Sequence, residues 1–209
     1  MRRAIIAALL LMIMLLTGCG EKDNEYADIP NPTATITLAD GREMRFELQL
    51  QQAPNTVANF VSLANAGYYD GLTFYRVLPG CLVQTGDAKG DGTGGPGYSI
   101  KGEFAKNGVE NGISHVRGTI SMARQEDYDS AGSQFFILQG SFPEYDGLYA
   151  AFGRVSDQES LDVLDSITNV HVDVHQRPLE PTVIDKIRVD TKGYEYTPVV
   201  IKKEDKDGE

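Results

Sequence analysis

Apolar and polar positions alternate with a period of two along residues 35–48: Ile36 and Leu38 interleave with Thr35 and Thr37, and Met44, Phe46 and Leu48 alternate on the return. Asp40-Gly41 between them is a turn signal, so the pattern predicts a β-hairpin. The period then changes. After Pro54, residues Val57, Phe60, Val61 and Ala64 fall at i, i+3, i+4 and i+7, and Gly67 ends the run, which predicts an amphipathic helix. A second helix is predicted where Ser156-x-x-Glu159 reads as a capping box ahead of Leu161, Leu164 and Ile167. Short β-branched or aromatic runs at 73–77, 81–85, 119–123, 134–138, 149–155 and 182–189 predict further strands. Roughly eight strands, two isolated helices and no internal repeat favour a mainly β fold over alternating parallel α/β. The expectation is a closed eight-stranded antiparallel β-barrel capped by two α-helices.

The chain ends break this pattern. Arg2 and Arg3 precede an apolar run at 4–16 that closes on Leu16-Thr17-Gly18-Cys19, a targeting segment set aside from the fold. The run is shorter than the roughly 17–25 apolar residues of a spanning helix, which favours a cleaved signal over a permanent anchor. Leu-Thr-Gly-Cys resembles the lipobox of bacterial lipoproteins. That resemblance implies a diacylglyceryl group on Cys19 as the mature N-terminus, and two acyl chains hold a protein stably where one does not. The expected organisation is a signal peptide at 1–18, a lipidated polar tether at 19–32, a folded domain at 33–190 and a charged, solvated tail at 191–209. With Cys19 lipidated, Cys81 lacks an intramolecular partner and no disulfide is expected; a Cys19–Cys81 bridge is the alternative.

Composition adds limits. The 209 residues, 41% hydrophobic and 23% charged, suit one well-buried domain. A formal charge of -11 with no basic stripe argues against a nucleic-acid partner.

Two blocks carry candidate chemistry: residues 74–87, Phe-Tyr-Arg-Val-Leu-Pro-Gly-Cys-Leu-Val-Gln-Thr-Gly-Asp, and Ser121-Met122-Ala123-Arg124 followed by residues 129–137, Asp-Ser-Ala-Gly-Ser-Gln-Phe-Phe-Ile. Both resemble cyclophilins, with further agreement at Tyr145-Asp146-Gly147 and Phe152-Gly153-Arg154-Val155 and a looser similarity over residues 33–190. The resemblance implies a barrel whose groove binds an X-Pro peptide and catalyses cis/trans rotation. It gives Arg76 the catalytic role, makes Gln84 and Gln134 polar positioning residues, and makes Leu82, Ala123, Phe136 and Tyr145 the walls of a proline pocket. Tyr149 stands where members carry His or Tyr, and Arg124 stands, as in many bacterial members, where eukaryotic ones commonly have Asn; the resemblance implies that Arg124 presents its backbone to the substrate, with or without side-chain contact. Two departures weaken the match: Cys81 replaces a Phe that packs on the proline ring, and Glu144 replaces a Trp associated with cyclosporin binding, so weaker substrate binding and poor cyclosporin affinity are expected.

The chemistry of these residue types agrees. Rotation about the amide must break a resonance worth about 18–20 kcal/mol. The twisted amide has a pyramidal, hydrogen-bond-accepting nitrogen, and an always-charged guanidinium can hold its carbonyl. A charged hydrogen bond supplies about 1.5–3 kcal/mol, well short of a typical enzyme's acceleration, so an apolar pocket and positioning residues must supply the rest. Taken alone, Arg76 reads as a surface arginine on an exposed strand; within both motifs it reads as the site. Alternation sends Phe74 and Phe135 to the core.

No cofactor or metal is expected. His171 and His175 would approach each other only on a helix, which Pro178 and Pro181 oppose. His115 reads as a packed or surface histidine. Gly90-Asp91-Gly92-Thr93-Gly94-Gly95 fits a nucleotide-binding pattern, yet Pro96-Gly97 stands where its helix would begin, so it reads as a glycine-rich loop. The sequence thus predicts a monomeric peptidyl-prolyl isomerase acting on exported, proline-containing polypeptides at the outer face of a bacterial membrane. The alternative is a proline-peptide-binding or chaperone module with weak or no turnover.

Overall fold

The computed structural model describes residue 26 and residues 28–202. Residues 1–18 and Cys19 lie outside the described residues, as does any Cys19–Cys81 pairing.

The hairpin forms as the alternation predicts. Strands β1 (Thr33–Leu38) and β2 (Glu43–Leu48) bury Ala34, Ile36 and Leu38 on one and Met44, Phe46 and Leu48 on the other. Gly41 takes φ 89° in the turn, where a side chain would be strained. Helix α1 (Pro54–Asn65) turns Val57, Phe60, Val61 and Ala64 inward. Its C-terminus is a Schellman motif: Tyr68 N donates to Leu63 O at 3.0 Å and Gly67 N to Ala64 O at 3.1 Å, with Gly67 left-handed at φ 78°. Its N-cap, Ala53, has no side-chain acceptor. Glu103 supplies one from a distant loop, accepting from Asn55 N (3.0 Å), Thr56 N (2.7 Å) and Thr56 Oγ1 (2.6 Å).

The remaining elements are β3 (Arg76–Leu78), β4 (Leu82–Thr85), β5 (Tyr98–Ser99), β6 (Thr119–Met122), β7 (Phe135–Leu138), β8 (Ala151–Val155), α2 (Gln158–Thr168), β9 (Ile184–Asp190) and β10 (Ile201–Lys202). Helix α2 starts one residue later than the capping box predicts. Asp157, not Ser156, is the N-cap, its carboxylate accepting from Ser160 N at 2.8 Å, because an anion at a helix N-terminus also meets the positive end of the helix dipole. Glu159 is left exposed.

Eight strands form one sheet in the order β3-β4-β7-β6-β8-β2-β1-β9. The expected closed barrel is not formed: the sheet is an open half-barrel, because its two outer strands share no ladder. Along that seam the chain makes isolated contacts in place of a ladder: the Thr73–Val183 bridge and the backbone bonds Gly71 N to Ile184 O (2.8 Å), Ile184 N to Leu72 O (2.8 Å), Phe74 N to Thr182 O (3.1 Å) and Val77 N to Gln176 O (2.8 Å). Strand β3 is only three residues long, and the chain opposite it carries Pro178 and Pro181, which lack the N–H that a ladder needs. Helix α1 packs against β9 and α2 against β2. From α1, the Phe60 ring lies 5.5 Å from Tyr69, 5.3 Å from Phe135 and 5.2 Å from Phe152.

Part of the expected solvated tail is a strap. Tyr196 and Val200 pack against the core, Val199 pairs through its N–H (2.7 Å) and C=O (3.0 Å) with the Asn55 amide, and β10 pairs with β5. The β-branched run Val199-Val200-Ile201 drives this pairing, and the charged residues around it hid the signal. At the other end Gln51 Nε2 donates to Tyr26 O and Ile29 O, so the last part of the expected tether also rests on the domain.

Candidate active site

One cross-strand row builds the site. Residues facing each other on antiparallel strands share a face. Arg76 faces Gln84, Gln84 faces Phe136, and Phe136 faces Ser121. Two residues along, Leu78, Leu82 and Leu138 form a second row on that face. The alternate residues Val77, Val83 and Ile137 are buried in the core, as are Phe74 and Phe135.

The polar half is a network. Arg76 Nε donates to Gln176 Oε1 at 2.8 Å and Arg76 Nη1 to Gln84 Oε1 at 3.1 Å, while Nη2 bonds to no group among the described residues. Gln84 Nε2 donates to Tyr75 Oη (2.5 Å) and to Gln134 Oε1 (3.1 Å), and Tyr75 Oη donates to Gln134 Oε1 (2.5 Å). Burial pushes the Tyr75 phenol up to about 12, with Asp87 adding to the rise and Arg76 opposing it, so the hydroxyl stays a donor. Gln134 Nε2 in turn holds the glycine-rich loop through Gly92 O (3.1 Å) and Gly94 O (2.9 Å). Asp87, 3% exposed, gathers that loop by accepting from the backbone N–H of Lys89, Asp91 and Gly92. A Cβ on Gly94 would stand 1.9 Å from Asp87 Oδ1, which explains the glycine. Tyr75, Arg76, Gln84, Gln134 and the loop residues 91–96 line a groove of about 570 Å³.

The apolar half adjoins it. Leu82, Phe136 and Leu138 form a cluster distinct from the main core, with Leu78, Cys81, Ala123, Phe142, Tyr145 and Tyr149 packed around it. Ala123 borders both halves. Phe136 lies edge-on to Tyr145 at 6.1 Å and Tyr149 at 5.7 Å. Cys81 is half-buried at the margin, and burial raises its thiol pKa against the opposing pull of Arg76. Glu144 is exposed beside Tyr145.

Nine of the sequence-predicted residues, Arg76, Cys81, Leu82, Gln84, Ala123, Gln134, Phe136, Tyr145 and Tyr149, come together in these two halves. Arg124 is placed differently. It borders the groove, but its guanidinium is engaged elsewhere, over the rings of Tyr149 (4.8 Å), Tyr128 (4.8 Å) and Phe104 (5.3 Å), with Nε donating to Leu148 O at 3.1 Å. It clamps Tyr149 from behind.

Sequence reasoning gave no role to Tyr75, Asp87 or Gln176. Tyr75 and Asp87 lie inside the quoted motif. Gln176 lies in a segment without hydrophobic period, and nothing in the sequence marks it. His115 is a packed histidine, 1% exposed, under Phe136 and Tyr145. Its Nδ1 lies 2.9 Å from Asp146 Oδ1 and its Nε2 lies 3.0 Å from Ser121 Oγ. Burial lowers its pKa, with Asp146 opposing, so the neutral ring is the folded form. A histidine that resists protonation only when folded leaves the unfolded chain binding more protons in acid. Stability from this group is therefore present above the unfolded value near 6.5 and falls as pH drops below it. Between pH 7.5 and 5.5, wild type should lose more melting temperature than His115→Gln; equal losses would refute this.

Among the described residues no group of three or more His, Cys, Asp or Glu is placed to hold a metal ion. A guanidinium with a free edge beside an apolar pocket can hold a peptide carbonyl while the next residue's side chain is buried.

Comparison with known proteins agrees with this geometry. The family model for cyclophilin type peptidyl-prolyl cis-trans isomerase/CLD matches residues 33–189. A peptidyl-prolyl cis-trans isomerase of Synechococcus elongatus is 44% identical over 137 residues, covering 66% of this chain and 90% of its own. Peptidyl-prolyl cis-trans isomerase B of Bacillus subtilis is 48% identical over 124 residues, covering 59% and 83%. A crystal structure of a Cryptosporidium parvum cyclophilin type isomerase, obtained in the presence of the dipeptide Ala-Pro, superposes with a TM-score of 0.65 at 30% identity, covering 76% of this chain and 98% of that one.

Proposed function

The chain belongs to the cyclophilin-type family and is a peptidyl-prolyl cis-trans isomerase; from that premise we propose that it speeds the folding of exported proteins while tethered by lipid to the outer face of a bacterial membrane. The observation that carries the catalytic part is the Arg76 guanidinium, fixed at Nε and Nη1 with Nη2 unbonded among the described residues, beside the Phe136 pocket. An X-Pro segment lies in the groove with its proline ring against Leu82, Phe136, Tyr145 and Tyr149. Gln84 and Gln134 hold its backbone, and Ala123 and Arg124 form part of the wall. Arg76 Nη2 then donates to the carbonyl before the proline. Twisting the bond localises the nitrogen lone pair, and removal of water by the pocket favours the less charge-separated twisted amide. The Ala-Pro dipeptide used with the Cryptosporidium relative supports proline as the recognised residue.

The membrane part rests on Leu16-Thr17-Gly18-Cys19 behind a short apolar run. In bacterial cells fed a labelled fatty acid, the full chain should take up label and sediment with membranes. Cys19→Ser should do neither; label retained in that variant would end the lipoprotein reading. The purified domain should also accelerate refolding of a reporter limited by X-Pro isomerisation, a step of tens to hundreds of seconds.

Cys81 favours a second reading, a proline-peptide binder with weak turnover, because its small side chain leaves the pocket margin open. If a phenyl ring there buries roughly 50 Å² more of the peptide, at about 25 cal/mol per Å² Cys81→Phe tightens binding about eightfold. Titration calorimetry with a proline peptide checks this, and unchanged affinity would show that the margin does not touch the ring.

A further inference from the structure

The loop across the open seam from β3 is a built hairpin. Val172 bridges Pro178, Asp173 N donates to Arg177 O at 2.9 Å, and Asp173 Oδ1 accepts from His175 N (2.8 Å) and Arg177 N (2.9 Å). Gln176 sits at its tip with φ 65°, a left-handed conformation that favours glycine. It grips β3 twice: its carbonyl accepts from Val77 N at 2.8 Å, and its side-chain Oε1 accepts from Arg76 Nε at 2.8 Å. Glycine would suit that backbone better, and it would keep the Val77 bond. It would lose only the bond to Arg76.

A free arginine side chain has many rotamers and must be ordered each time it meets substrate. The Gln84 bond alone leaves the guanidinium plane able to rotate about one corner. A second bond at Nε fixes the plane of this groove-lining arginine and leaves Nη2 as the edge unbonded among the described residues, so the cost of ordering is met before the peptide arrives. We propose that Gln176 is a positioning residue for Arg76, raising the rate of isomerisation on the bound peptide without contributing to peptide affinity. This rests on Arg76 being the group that stabilises the twisted amide.

The test compares wild type, Gln176→Gly, Gln176→Glu, Arg76→Ala and the Arg76→Ala/Gln176→Gly double variant in three measurements: melting temperature, peptide Kd, and the cis/trans exchange rate on saturated protein by exchange NMR. Gln176→Gly should melt no lower than wild type and bind within about twofold of it, yet isomerise bound peptide roughly tenfold more slowly. Gln176→Glu, which keeps an acceptor for Nε, should recover most of that rate. On the Arg76→Ala background, Gln176→Gly should have no further effect. The proposal is overturned if Gln176→Gly keeps the wild-type rate, if Gln176→Glu is as slow as Gln176→Gly, or if the loss persists without Arg76. If Arg76→Ala itself exchanges bound peptide at the wild-type rate, the reading of Arg76 fails and this proposal falls with it. If Arg76→Ala is slow and Gln176→Gly is not, Gln176 alone is wrongly assigned.

Discussion

Replacing Arg76 by alanine should lower kcat/KM for a proline peptide by about 10–150-fold, the worth of one charge-assisted hydrogen bond of about 1.5–3 kcal/mol in the transition state. The loss should fall on turnover more than on binding, because the proline ring is gripped by the Phe136 cluster and not by the guanidinium. Fold and melting temperature should hold. Arg76 is half-buried on a short outer strand, and water can reach the amides of Gln84 and Gln176 once the side chain is gone. Arg76→Lys should recover little: one ammonium cannot engage Gln176, Gln84 and a substrate carbonyl in a single planar arrangement. A protease-coupled assay with circular dichroism as the folding control reads both quantities. Activity of Arg76→Ala within twofold of wild type would move the chemistry elsewhere in the groove.

The largest stability effect should come from a residue outside the groove. Glu103 is 6% exposed and is the acceptor for the first turn of α1, whose own N-cap position holds Ala53. Glu103→Ala leaves Asn55 N, Thr56 N and Thr56 Oγ1 without that acceptor. A lost cap costs about 0.5–2 kcal/mol and a buried orphaned donor about 1–3 kcal/mol, so about 2–4 kcal/mol is expected. For a chain of this size that is a fall of roughly 5–15 °C in melting temperature. Glu103→Gln, which keeps one acceptor oxygen but loses the charge, should fall in between. Peptide affinity measured well below the transition should not change, since Glu103 does not line the groove. A melting temperature within about one degree of wild type would mean that water caps the helix equally well.

The elements legible in the sequence were those whose side chains repeat. The hairpin, α1, and the positions of the eight sheet strands followed from period and β-branching, and the cross-strand row of Arg76, Gln84 and Phe136 follows from alternation once the strands pair. What could not be read depends on contacts between segments remote in sequence. Glu103 capping a helix some fifty positions earlier has no local signature. Whether the sheet closes depends on what lies opposite β3, and that is a hairpin with two prolines nearby instead of a strand. The strap was hidden because Val199-Val200-Ile201 is short and sits among charges. Arg124 does border the groove as its place in the motif implies, but the motif does not say where its side chain goes, which is set by three rings from separate loops. Asp157 displaced Ser156 as cap because both are good caps and only the carboxylate also gains from the helix dipole, a preference between adjacent residues that the capping-box pattern does not weigh.

The order of strands also sets how the molecule carries load. Strand β1, the first strand in chain order, runs between β2 and β9 and is paired with both, Thr33 facing Glu47 on one side and Asp190 on the other. Once the Gln51 bonds to Tyr26 and Ile29 give way, a pull on the chain ahead of β1 is taken in shear by two ladders at once, the geometry in which many hydrogen bonds must fail together. The strands that carry Arg76 and Gln84 stand at the opposite end of the sheet. In a chain tethered as proposed, drag on the bound polypeptide and tension on the tether would enter through different strands, so the groove would keep its shape while the N-terminal end of the domain is pulled.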